Sequence, residues 1–111
     1  HILSCMVENG YMEEVIGVSF DGTGYGTDGT IWGGEILRCR MDGFERLTSI
    51  APFMQAGGDL SSKEGWRIAV SILKEYGSDH CIKLGLCNEQ EYSVIKTMTE
   101  AGVNSVLSTS A

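Results

Sequence analysis

Residues 20–35, Phe20-Asp21-Gly22-Thr23-Gly24-Tyr25-Gly26-Thr27-Asp28-Gly29-Thr30-Ile31-Trp32-Gly33-Gly34-Glu35, carry the reading that decides the fold. A strand enters this stretch from Val15, with Ile16, Val18 and Phe20 on one face and Val15, Gly17 and Ser19 on the other. It ends at an aspartate and a glycine-rich turn, and a second strand leaves over residues 30–40. Glycine lets backbone N–H groups approach an anion closely, Thr23 and Thr27 add hydroxyl donors, and Asp21 stands where a carboxylate can hold a metal ion beside a phosphate. A plain β-turn is the competing reading, and for an ordinary Asp-Gly-Thr-Gly it is the better one. Six glycines with an aspartate before them and another among them favour the phosphate-handling hairpin.

Working outward, Asp42-Gly43 marks a tight turn into a third strand over residues 44–50, which completes an antiparallel meander. Upstream, Ile2, Leu3, Cys5 and Met6 form a short helical stripe that Asn9-Gly10 stops. Downstream, residues 52–59 read as a loop. One helix then follows, with a Ser61/Glu64 capping box, an apolar face of Trp66, Ala69, Val70, Leu73 and Tyr76, and a stop at Gly77. Residues 78–86 suggest a short helix. Asn88 and Glu91 cap another, with Tyr92, Ile95, Met98 and Ala101 as its buried stripe and Gly102 as its stop. Residues 103–107 suggest a strand. The expected class is α+β, an α/β lobe with helices against one face of a mixed sheet.

Composition narrows the function. The 111 residues are 42% hydrophobic and carry a formal charge of −7, with no basic face for nucleic acid and no apolar run that spans a bilayer. Cys5, Cys39, Cys81 and Cys87 make no C-x-x-C pair, so buried free thiols in a reducing cytosol are expected. The chain opens at His1 without an initiator methionine and ends at Ser108-Thr109-Ser110-Ala111 without a closing element, which reads as a segment of a longer protein truncated at both ends.

Other candidates each have a plainer counterpart. His1 alone reads as a surface or core histidine, although its place upstream of the Asp21 strand makes a shared metal site conceivable. Gly57-Gly58-Asp59 could set N–H groups and a carboxylate against a nucleotide, or Asp59 and Ser61 could simply cap a helix. Lys63 in a first helical turn opposes the macrodipole unless a phosphate is near. Gly33-Gly34-Glu35 inside a strand implies either a bulge or close approach of another backbone or a ligand. No Ser/His/Asp or Cys/His nucleophile set can be assembled.

Three motifs in order resemble the HypF-type carbamoyltransferases that mature [NiFe]-hydrogenases: His1-Ile2-Leu3-Ser4-Cys5-Met6-Val7-Glu8, the stretch from Phe20 to Glu35, and Gly57-Gly58-Asp59-Leu60 with Trp66-Arg67. The resemblance implies that residues 1–111 are part of a carbamoyl-transfer domain of the actin/Hsp70/sugar-kinase-type fold. It also implies a carbamoyl-adenylate, made from carbamoyl phosphate and ATP in neighbouring domains, and transfer of the carbamoyl group to the C-terminal cysteine of a HypE-type acceptor in the cytoplasm. Carried over by position, His1 and Asp21 become ligands of a divalent metal (iron, zinc or magnesium). Gly22, Thr23 and Gly24, with Gly57, Gly58 and Asp59, become the nucleotide-facing residues. Ala56 stands where the family commonly has proline. The resemblance also leads to the expectation that this segment alone is inactive. The rival readings are an O-carbamoyltransferase or sugar kinase of the same fold, and a non-catalytic interaction module whose hairpin is scaffold.

Overall fold

The computed structural model describes residues 1–22, 24–74 and 80–110. It forms two compact units, one from residues 1–52 with the residues from Thr109 onward, the other from Phe53–Ser108.

In the first unit, helix α1 (Ile2–Glu8) ends as its sequence dictates. Asn9 closes it by donating its N–H to the Cys5 carbonyl, and Gly10 takes the left-handed φ of 64° that stops the helix. Strands β1 (Val15–Phe20), β2 (Gly34–Arg40) and β3 (Gly43–Ser49) form the antiparallel meander in the order β1-β2-β3. Val15 lies opposite Cys39 and Phe20 opposite Gly34. Arg40 pairs with Gly43, and the β2–β3 register slips between Ile36 and Leu37. Of the two faces of β1, the one with the smaller residues packs inward. Gly17 lacks a Cβ, and the Ile2 side chain of α1 fills that space. Ile16, Val18 and Phe20 stay 58%, 57% and 79% exposed, so the apolar alternation marks the face left open among the described residues.

The strand expected from residue 30 starts at Gly34 instead. Residues 24–32 form a narrow hairpin of their own. Trp32 N–H donates to the Gly24 carbonyl, Gly26 N–H to Thr30, and Tyr25 bridges Ile31. Gly29 supplies the positive φ of 78° at its tip.

In the second unit, β4 (Phe53–Ala56) pairs antiparallel with β5 (Ser105–Ser108), so both sheets are antiparallel, not mixed. The expected loop over residues 52–59 thus holds a strand, too short and too tightly bracketed by Pro52 and Gly57-Gly58 to show a period. The expected single helix after it is two, α2 (Asp59–Lys63) and α3 (Gly65–Leu73), because Glu64 leaves helical backbone at φ −118°, ψ 81°. The Ser61/Glu64 box does not form. Ser61 Oγ donates to the Gly58 carbonyl and accepts from Gln55 Nε2, both at 2.6 Å. Lys63 consequently sits in the last turn of α2, where a cation suits the dipole, and its placement needs no phosphate. Tyr76, Gly77 and the start of the next expected helix lie outside the described residues, and α4 spans His80–Lys83. Helix α5 (Glu89–Ala101) has the expected Asn88/Glu91 capping box and a left-handed Gly102.

Ala56, Val70, Cys81, Cys87 and Ile95 form this unit's core, with Trp66, Leu73, Ile82, Tyr92 and Met98 against it. Ala101 is exposed, so the apolar stripe of α5 ends at Met98 and the buried position beyond it is Thr99, whose hydroxyl donates back to the Ile95 carbonyl. Ile95 is fully buried. Ile95→Ala is expected to lower stability by about 2–5 kcal/mol, read as a shift in the urea unfolding midpoint. No helix among the described residues is long and apolar enough to cross a membrane.

The thiols follow their surroundings. Cys39, Cys81 and Cys87 are buried as expected, but Cys5 is exposed. Burial pushes the Cys81 and Cys87 thiols up from their ordinary range, because a thiolate there would lose its hydration. Iodoacetamide at neutral pH is expected to label Cys5 in the native chain and the three others only after denaturation, by intact mass. The raised values also set a sign. The folded state prefers the protonated thiols, so their contribution is full below the ordinary thiol range and declines as pH rises through it.

Candidate functional site

Two elements bring the proposed metal ligands together. His1 immediately precedes α1, and Asp21 follows the last residue of β1. Packing of Ile2 into the Gly17 gap brings the start of α1 onto the strand. His1 Nδ1 then lies 3.3 Å from Asp21 Oδ2, with both side chains partly exposed. Asp21 Oδ1 accepts from the Gly22 N–H at 2.7 Å. The arrangement is that of an ion pair, and its spacing also fits a shared cation. Two ligands of a tetrahedral ion at bond lengths of ~2.0–2.1 Å stand ~3.3 Å apart. One imidazole and one carboxylate are donors that zinc and iron accept. Among the described residues no cluster of three or more His, Cys, Asp or Glu side chains forms around the pair. A groove of about 400 Å³ opens beside it, lined by His1, Ser19, Asp21, Trp32, Gly33 and Phe44 among others.

The glycines of the hairpin divide into two groups. Gly26 and Gly33 are required by packing, because a Cβ would overlap the Trp32 ring at the first and Ser110 at the second. A Cβ on Gly34 would come within 3.0 Å of Ile50 and the Thr109 carbonyl, so Gly33-Gly34 marks a close backbone approach. Gly22 and Gly24 differ. Among the described residues a Cβ on Gly22 would meet nothing within 4 Å, and one on Gly24 would meet the Trp32 carbonyl at 3.9 Å. Gly22 directly follows Asp21. Thr23, between Gly22 and Gly24, lies outside the described residues.

In the second unit, Gly57 and Gly58 are explained by backbone, at φ 107° and 54°. Asp59 is exposed in the first turn of α2. Gln55, two residues before Gly57, is buried, and its Oε1 has no hydrogen-bond partner among the described residues.

Glu35 is a residue whose importance the sequence only hints at. Its side chain is 5% exposed and accepts from Arg46 Nε at 2.6 Å and from Arg46 Nη2 at 3.2 Å. It also accepts from the Thr109 hydroxyl. Arg46 stacks over Trp32, 4.3 Å from the ring centre, and lies 3.6 Å from Asp28. Asp28 Oδ1 accepts from the Thr30 hydroxyl and N–H and from Trp32 Nε1, which hold its carboxyl below the ordinary range. The hint was an acidic residue directly after two glycines. Its partner Thr109 lies 74 positions away, beyond the reach of any local pattern.

Residues 17–111 match the model of the carbamoyltransferase HypF, Kae1-like domain, second subdomain. This chain belongs to the HypF carbamoyltransferase family. A HypF carbamoyltransferase of Synechocystis sp. is 46% identical over 81 residues, covering 71% of this chain and 11% of its own length. A probable HypF of Methanocaldococcus jannaschii is 35% identical over 114 residues, 99% of this chain and 15% of its own. A crystal structure of full-length HypF in a phosphate- and nucleotide-bound form superposes with a TM-score of 0.89 at 34% identity, over 99% of this chain and 15% of that one. The chain thus spans 11–15% of the length of these three HypF proteins. The HypF likeness agrees with the α+β architecture and with its antiparallel meander.

Proposed function

We propose that this chain forms part of the carbamoyl-transfer domain of a HypF-type enzyme. The enzyme would move a carbamoyl group from carbamoyl-adenylate to the C-terminal cysteine of a HypE-type acceptor in hydrogenase maturation. The observation that carries the reading is the 3.3 Å pairing of His1 with Asp21 next to Gly22, where a Cβ would meet nothing within 4 Å among the described residues. A carbamoyl-adenylate is already an activated mixed anhydride, so the site must orient it and neutralise phosphate charge and needs no protein nucleophile. Asp21 and His1 would hold a divalent ion, which would supply charge neutralisation at the phosphate when bound. Gly22 and Gly24 leave the backbone open to a phosphate at that place, and Thr23 carries a hydroxyl between them. Gly57, Gly58 and Asp59 are the remaining candidates for the nucleotide. ATP and carbamoyl phosphate would be handled by neighbouring domains of a longer cytoplasmic protein.

Titration of ATP, with Mg²⁺ and again with a chelator, into a protein that carries the whole carbamoyl-transfer domain tests this. Binding that requires the ion supports the reading. A folded protein that binds no ATP under either condition would leave the hairpin as scaffold.

A further inference from the structure

We propose that Glu35, Arg46 and Thr109 form a positioning relay that holds the Asp21–Gly22 turn in the shape that sets the Asp21 carboxylate beside His1. The relevance of that carboxylate to chemistry rests on the function proposed above, whereas the relay itself rests on hydrogen bonds alone.

The Asp21 side chain is 45% exposed, and among the described residues its oxygens meet the Gly22 N–H and the His1 ring. Its backbone is also held. Asp21 N–H donates to the Gly33 carbonyl at 2.8 Å, and the Ser110 hydroxyl reaches the carbonyls of both Asp21 and Gly22. Gly33 is held in turn by Thr109, whose Oγ1 accepts from the Gly33 N–H at 3.1 Å and from the Gly34 N–H at 3.4 Å. A threonine hydroxyl has one proton to give. The Ile31 carbonyl, 3.4 Å away, and the closer Glu35 carboxylate both lie within reach, and donation to the closer, charged Glu35 leaves the oxygen free to accept both amides. Arg46 completes the relay by gripping the Glu35 carboxylate at two points, a planar fork geometry that lysine cannot supply. The order is therefore Arg46, Glu35, Thr109, Gly33, Asp21, with each link made by hydrogen bonds.

A merely structural clasp would need no charge here, because apolar residues of similar volume often stabilise as well as a buried ion pair. The contacts that start at this ion pair end at the backbone N–H of Asp21, the residue whose carboxylate the proposed function places at the metal.

Hydrogen exchange read by mass spectrometry on the same whole-domain protein tests the relay, in wild type, Thr109→Val and Thr109→Ser, with Arg46→Lys as a second route should the valine variant fold poorly. In Thr109→Val, exchange at Asp21, Gly33 and Gly34 is expected to rise about tenfold or more, with the amides of α5 unchanged. Mg²⁺-ATP affinity should fall in the same variant. Thr109→Ser should restore both, and Arg46→Lys should loosen the same segment to a smaller degree. Unchanged exchange at Asp21 and Gly33 overturns the relay. So does an equal rise in α5, which is general destabilisation, or an unchanged Mg²⁺-ATP affinity despite faster exchange. Should wild type bind no Mg²⁺-ATP, the functional reading fails by itself, and the exchange data still decide the relay.

Discussion

Asp21→Ala is expected to weaken Mg²⁺-dependent ATP binding by at least about 100-fold while leaving the unfolding midpoint close to that of wild type. Loss of a group that merely supports a metal ligand costs about 10–100-fold in affinity, so loss of a ligand itself should cost no less. The fold has little stake in this side chain. It is partly exposed, and among the described residues its oxygens touch the adjacent Gly22 N–H and the exposed His1 ring. The backbone bonds from Asp21 to Gly33 and Ser110 survive the substitution, since they use main-chain atoms of position 21. Asp21→Asn separates shape from charge. It keeps an acceptor for Gly22 but gives the cation no negative ligand, so calorimetric titration should show it nearly as impaired as alanine. Retained metal-dependent binding in both variants would remove Asp21 from the site.

The second large effect is expected at Gly33. An alanine Cβ there would overlap the Cβ and the Cα of Ser110, and a Cα cannot swing aside as the end of a flexible side chain can. Gly33 is also pinned on both sides, through its N–H to Thr109 and its carbonyl to Asp21, so relief by local movement breaks those bonds. Overpacking in a close-packed interior commonly costs about 1–3 kcal/mol, and lost buried hydrogen bonds add to it, so a loss of ~3 kcal/mol or more is expected by urea unfolding. Gly43→Ala is the matched control, because a Cβ there meets nothing within 4 Å and the backbone is not left-handed. Equal stability of the two variants would mean that the Thr109–Ser110 segment is not seated against Gly33.

Much of this architecture was legible because it is encoded locally. The Asn88/Glu91 box and Gly102 bracket α5 within 15 residues, and Asn9-Gly10 and the turn before Gly43 act over two or three. Period-two alternation was enough to find β1 and the meander. Where local signals failed, the cause was again specific. Strand β4 has four residues and no room for a period, and the α2–α3 break at Glu64 carries neither glycine nor proline at the broken position. Ser61 was misread because its hydroxyl is engaged by Gln55 and the Gly58 carbonyl, contacts that the capping pattern cannot anticipate.

The candidate site divides along the same line. By itself the sequence determined the family, the hairpin and the residue types at the site, since motif order and turn chemistry are properties of neighbours along the chain. Tertiary structure alone decided which glycines of residues 20–35 are spoken for by packing, which face of β1 is covered, and that His1 meets Asp21. It alone joined Glu35 to Arg46 and Thr109. Those outcomes depend on side-chain volume and hydrogen-bond geometry between segments up to 89 residues apart, and no pattern along the chain contains that information.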